Sequence, residues 1–381
     1  MIQRSPAARR WRRPDTTRLV DIGRLALLGK GPSMADMTTV PDRARVRLPG
    51  ISSRAYEHPA DRSALVAMRK LTGFDVLLKR LAGLFSDRSL RLLFMASSVR
   101  ASNEQFPDLY RLLLDGSAIL DLPEVPELFI SQDPMPNAMT LGSDKPFIVV
   151  TTGLLDLMDA EENRWVIGHE LGHVLSGHAV YRTMLFHLTR LATRLAWFAI
   201  GYIGLRVIIA GLEEWYRKSE LSCDRAGVLA SQDPAAARRA LMKLAGGSKI
   251  SELSPDAFLE QAREYDAVPD VREGLLKMLQ MQGTTHPFAV VRFAELDHWV
   301  ADGDYAEILA GNYLRREDDS DTKIGDEFMA AAKAYQESWS RSNDPFIGLV
   351  KGVAETAVGT GQSLFGNIFG PRGGGSSGDD N

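Results

Sequence analysis

The tightest constraint on this 381-residue chain is the octapeptide Val166-Ile167-Gly168-His169-Glu170-Leu171-Gly172-His173. Residues four apart share one face of an α-helix, so a helix here brings the His169 and His173 imidazoles to a single metal ion. Glu170 sits beside them, placed to take a proton from a metal-bound water. A catalytic metal needs three protein ligands and one open position. The fold therefore has to deliver a third donor from elsewhere in the chain.

Elimination narrows the choice. Where a three-histidine pattern would continue, the chain has Ser176 and Ala179. His178 is one residue out of register and, at about 100° per residue, roughly 140° around the helix from His173. It could ligate only if the helix broke at Gly177; otherwise it caps a helix end or makes a polar surface contact. From Val174 to Leu212 there is no acid at all. The first acids are Glu213 and Glu214, which point in different directions, then Glu220 and Asp224, which are four apart and share a face. One of that pair can bind the metal while the other orients a ligating His. The competing reading pairs Glu220 with Arg217 or Lys218 on a solvated face. His187, in an apolar helix, is a weaker candidate ligand.

Periodicity places these residues in a mostly helical α+β chain. Helical spacing covers Ser63–Leu84, Ser89–Ser98 and Pro107–Leu120. Short β-branched and aromatic runs at Glu127–Ile130 and Pro146–Val150 read as strands, with Asn137–Thr140 between them. Helices follow at Asp156–Gly177, which carries the motif, and at Leu212–Ala230, which carries Glu220 and Asp224. Further helices are expected at Ala235–Leu244, Pro255–Tyr265, Arg272–Met281, Pro287–Ala301 and Gly325–Ser338. Residues 1–60 form a basic, largely irregular extension, 61–345 a catalytic domain with its core at 120–300, and 346–381 a weakly amphipathic segment with a Gly/Ser-rich tail.

Composition excludes little beyond the extremes. The chain is 45% hydrophobic and 25% charged with net charge −4, so no nucleic-acid partner is expected. Its single cysteine, Cys223, excludes an internal disulfide framework and reads as a small buried core residue. Within residues 1–33 eight Arg and Lys stand against Asp15 and Asp21, but Leu25–Leu28 is too short an apolar core for a signal peptide. This arm reads as a disordered extension, with Met34 an alternative start. Leu195–Gly211 is apolar but interrupted by Arg206 and glycines. It falls short of the about 20 residues that a spanning helix needs, and reads as a buried helical hairpin or a peripheral membrane contact. A cytoplasmic, membrane-associated protein is the expectation.

In order along the chain stand Asn137-Ala138, Ile148-Val149-Val150-Thr151-Thr152-Gly153-Leu154-Leu155, His169-Glu170-Leu171-Gly172-His173, Glu220-x-x-x-Asp224, and Thr285-His286-Pro287 with Arg292. This set, over roughly residues 120–300, resembles the zinc metallopeptidases of the HtpX and CAAX prenyl endopeptidase family, in their soluble-looking actinobacterial branch. The resemblance implies a zincin-like (gluzincin) core with a small mixed sheet and one Zn²⁺ held by His169, His173 and Glu220. It implies Glu170 as general base, Asp224 and Arg292 behind the ligands, and His286 steadying the oxyanion. Asn137 and Ala138 would lie on the edge strand that pairs with a protein or peptide substrate. Family members usually carry clear transmembrane helices, which this chain lacks by length. The alternative function is a non-catalytic or latent zinc protein acting as a membrane-surface chaperone or scaffold.

Overall fold

The computed structural model describes residues 44–62, 87–194, 199–266 and 288–320. The helices expected at Ser63–Leu84, Arg272–Met281 and Gly325–Ser338 and the segment 346–381 lie outside these residues, as does His286.

Among the described residues one sheet of four strands has the order β1-β2-β4-β3: β1 (Val99–Arg100), β2 (Glu127–Ser131), β3 (Ala138–Leu141) and β4 (Phe147–Thr151). β2 and β4 run parallel, with Phe129 opposite Val149. β1 and β3 are antiparallel to their neighbours, so the sheet is mixed and β3 forms one edge. Strand alternation sends side chains to two different layers. Leu128, Ile130, Ala138, Ile148 and Val150 join the main core. Phe129, Leu141, Phe147 and Val149 pack instead with Leu90 and Phe94 of α1 (Asp87–Ser97). All of β4 is buried, which is why its sequence is apolar without alternation.

On the main-core face lie α2 (Pro107–Ile119), the motif helix α4 (Ala160–Leu175) and the long α6 (Ala199–Ser231). The helix expected from Asp156 is in fact two: α3 (Thr152–Leu157), then α4 after a break. The break is a capping box. The Asp159 carboxylate accepts from the Glu162 N–H at 2.9 Å, and the Glu162 carboxylate accepts from the Asp159 N–H at 2.8 Å. That reciprocal pair ends one helix and starts the next more effectively than apolar spacing can carry it through. Glu162, fully buried, is then met by Lys243 at 2.6 Å and Arg239 at 3.2 Å from α7 (Pro234–Gly246).

Of the expected hairpin at Leu195–Gly211, residues 195–198 lie outside the described residues, and the rest holds no turn. Ala199–Gly211 is the first part of α6 and runs unbroken into the segment bearing Glu220. The glycines there weaken a helix by only about 1 kcal/mol each, too little to stop one. α5 (His178–Arg194) packs beside α6. Among the described residues no helix is long and apolar enough to cross a membrane.

Two further features bear on the site. Residues 44–62 have little regular structure, yet Leu48, Ile51 and Tyr56 are fully buried. Arg45 Nε donates to the Ser231 carbonyl at 2.8 Å and Val46 N–H to Gln232 at 2.9 Å, fastening this segment across the end of α6. After α8 (Pro255–Asp266), α9 (Ala289–Ala301) buries Arg292, Phe293, Leu296 and Trp299.

α4 and α6 cross closely because small residues face each other. A β-carbon on Gly168 would come within 2.4 Å of the Ala230 β-carbon, and one on Gly172 within 2.6 Å of that of Ala226. Gly168→Ala adds up to about 1 kcal/mol in helix propensity, but overpacking against rigid atoms costs about 1–3 kcal/mol. We expect a lower melting temperature of the metal-free protein, read by circular dichroism.

Candidate metal centre

The motif falls two turns inside α4, after the capping box, and presents His169 and His173 toward α6. The close crossing lays Glu220 against both. His169 Nε2 and His173 Nε2 are 3.2 Å apart; Glu220 Oε2 is 3.4 Å from the first and Glu220 Oε1 3.2 Å from the second. All three residues are buried. Three basic groups packed this closely favour a positive charge among them, and two imidazoles with one carboxylate form a donor set suited to a divalent transition metal. Glu220 is fully buried, which excludes the solvated-face reading.

The surroundings bias the rings. Asp224 Oδ1 lies 3.0 Å from His169 Nδ1, which assigns the proton to Nδ1 and turns the Nε2 lone pair toward His173 and Glu220. Arg292 reaches from α9 and grips Asp224 with two donors, Nε at 2.8 Å and Nη2 at 2.5 Å, and its Nη1 is 3.4 Å from Glu220. Burial opposes charge on Asp224, but Arg292 outweighs it and holds the carboxyl below its ordinary range. Burial likewise opposes a cation at His169, yet Glu220 and Asp224 raise it to about 9. Burial lowers His173 to about 4, against the pull of Glu220. The Tyr216 ring stacks on His173 at 5.5 Å and 11°, and the Trp165 ring lies 5.7 Å from His169.

Glu170 is held by a partner the sequence does not signal. Thr140 Oγ1 donates to Glu170 Oε2 at 2.7 Å and also lies 3.1 Å from the Glu170 carbonyl. Thr140 shares the strand face of Ala138, and its alternation with apolar neighbours reads as any half-buried strand position.

Glu170 and His169 open on a cavity of about 440 Å³ lined in part by Asn137, Ala138, Val166, Leu244 and Phe288. Asn137 immediately precedes the edge strand rather than lying within it: its carbonyl accepts from Thr151 N–H at 3.0 Å.

His178 departs from expectation. The chain does break at Gly177, whose φ is +69°, and α5 begins at His178. His178 is buried, neither a surface contact nor a ligand of the same metal position: its Nδ1 lies 3.3 Å from Nδ1 of His173, on the far side of that ring. His187 belongs to neither metal-capable cluster found among the described residues. Cys223 is fully buried, as expected.

Comparison with known proteins covers the part of the chain that holds this site. The family profile of peptidase family M48 matches residues 103–300, half of the chain. The chain belongs to peptidase family M48. It is 38% identical over 259 residues to the plastoglobule-localized metallopeptidase 48 of Arabidopsis thaliana, covering 67% of this chain and 74% of that one. It is 28% identical to a protease HtpX homolog of Streptococcus gordonii, over 51% of this chain and 73% of the relative. A protease HtpX homolog of Ralstonia nicotianae is 27% identical over 58% and 83%. No solved structure matches. This M48 member is accordingly a metalloprotease, a hydrolase of peptide bonds.

Two substitutions probe the centre. Glu220→Ala should abolish stoichiometric metal binding, measured by elemental analysis after dialysis. Asp224→Asn should keep metal but weaken it about 10–100-fold, measured by chelator competition.

Proposed function

We propose that this M48 metalloprotease is a zinc-dependent endopeptidase whose metal is held by His169, His173 and Glu220 and whose general base is Glu170. The observation that carries the reading is the convergence of two imidazole nitrogens and a carboxylate within 3.4 Å of one another beside a buried Glu170. Bound there, zinc would supply a Lewis acid that polarises the scissile carbonyl and acidifies water.

The remaining work falls to the chain. The Thr140 hydroxyl fixes one Glu170 oxygen at 2.7 Å, leaving the other to take a proton from the attacking water and pass it to the leaving amine. Asp224, clamped by Arg292, keeps the His169 proton on Nδ1 so that Nε2 stays available. Asn137 and Ala138 line the cavity beside Glu170 at the start of the edge strand. A substrate in extended form would pair there by strand addition and bring its carbonyl to the metal position. His286 would steady the oxyanion, a role that the family resemblance suggests.

A scaffold without catalysis has no use for a carboxylate buried and held as Glu170 is, which favours the enzymatic reading over the chaperone alternative. Glu170→Gln should retain zinc at wild-type stoichiometry. It should lose hydrolysis of an unfolded protein by at least the about 10²–10⁴-fold that a general base contributes. Turnover at the wild-type rate would overturn the role of Glu170.

A further inference from the structure

The buried cluster behind His173 takes no part in the scheme above. We propose that His178 and Asp61 form a positioning chain for His173, a counterpart of the Asp224–Arg292 pair behind His169, so that each ligating ring is oriented from its rear by a different part of the chain. The proposal rests on the metal reading of His169, His173 and Glu220.

With a cation at the His169, His173 and Glu220 position, the distances assign the ring protons in turn. His173 turns Nε2 toward Glu220 and His169, at 3.2 Å from each. A ring that gives Nε2 to a cation carries its proton on Nδ1. That N–H needs an acceptor, because a buried donor left without one costs about 1–3 kcal/mol. His178 Nδ1 stands 3.3 Å away. As acceptor there, His178 must hold its own proton on Nε2, and Nε2 lies 3.4 Å from Asp61 Oδ2. In this assignment His173 donates to His178, and the remaining His178 N–H has the Asp61 carboxylate as its electrostatic partner at 3.4 Å.

The chain is built in rather than incidental. The left-handed Gly177 ends α4 and lets α5 restart with His178 turned back onto the motif. Trp215 of α6 packs edge-on against the His178 ring at 5.3 Å and 86°. Asp61 is almost completely buried. Its Oδ2 accepts from Ser222 Oγ at 2.6 Å, and Ser222 Oγ accepts from the His58 N–H at 2.9 Å, so segment 58–62 is tied to α6 two residues beyond Glu220. Asp61 stands more than a hundred residues before His169. The same linkage thus fastens the N-terminal segment of the catalytic unit to the metal-bearing helices.

A different use of the cluster is conceivable in chemistry. Cys223 Sγ is 3.5 Å from His178 Nδ1, and His173, His178 and Cys223 lie close enough together to share a cation. That ion would claim His173 Nδ1 while Nε2 serves the first, which requires one ring to bridge two metals without a proton. Two neutral rings at hydrogen-bond spacing with a carboxylate 3.4 Å beyond need no such bridging anion, which favours the positioning chain.

The test uses the full chain, with zinc affinity by chelator competition, the visible spectrum of the cobalt-substituted protein, and melting of the metal-free protein as a check on folding. His178→Phe keeps the bulk and removes the acceptor. It should weaken zinc about 10–100-fold and shift the cobalt bands. His178→Asn, whose side-chain oxygen falls near the place of Nδ1, should recover most of the affinity. Asp61→Asn, nearly isosteric, should weaken zinc in the same direction by less. Wild-type affinity and spectrum in both His178→Phe and Asp61→Asn would overturn the chain while leaving the metal reading intact. Two zinc ions per wild-type chain, falling to one in Cys223→Ala, would make His178 a ligand and overturn it as well. A wild-type chain that binds no zinc would overturn the metal reading and this proposal together.

Discussion

Everything at the site depends on how closely α4 and α6 approach. Both metal-directed imidazoles are on one helix and the carboxylate is on the other, so the spacing of the helix axes sets the donor spacing. Gly168 and Gly172 flank the first His-Glu pair and the second His, and they face Ala226, Gly227 and Ala230. The contact between backbones this close leaves no room for a β-carbon, and packed interiors do not yield continuously. The glycines inside the motif are therefore as much a part of the candidate metal centre as the histidines. A larger residue would separate the donors before it touched the chemistry.

The second theme is how the fold places charge where water cannot screen it. Glu170, Glu220 and Asp224 are buried together, and the buried guanidinium of Arg292 addresses two of them. Burying ions is costly unless they are paired, and the remaining demand for positive charge is what a divalent cation would meet. Glu162 at the start of α4 shows the same logic in structural form, with its carboxylate divided between the helix cap and the cations of α7. Around the site, polar residues lean on partners from different stretches: Thr140 from the edge strand, Arg292 from α9, Asp61 from the N-terminal segment.

Legibility follows the range of the interaction. Strands at Glu127, Ala138 and Phe147 and the helices from Pro107, Pro234 and Pro255 lie within a residue or two of the sequence reading, because turn residues and side-chain periodicity are local signals. Glu220 and Asp224 were reachable from the acid-free run after His173 and from their four-residue spacing. The break between Met158 and Ala160 was also local, a capping box at Asp159 and Glu162, but the apolar pattern on either side concealed it. The continuous course of α6 through Gly201, Gly204 and Gly211 was not readable, since glycines suggest a break but cost a helix only about 1 kcal/mol each. The two-residue strand at Val99 is similarly a product of pairing with β2.

By itself, then, the sequence determined the chemistry available: two imidazoles and a carboxylate at helical spacing, an acidic pair on a later helix, and an α+β frame with the motif on a helix. These rest on i to i+4 geometry and strand alternation, which act within a few residues. Only the tertiary structure decided which groups stand behind them. His178 changed from an off-face residue to the neighbour of His173 because the helix breaks at the left-handed Gly177. Thr140 and Asp61 reached Glu170 and His178 from strands and segments far away in sequence. Such partners are chosen by where the core packs, and no local pattern records the position of a contact made across it.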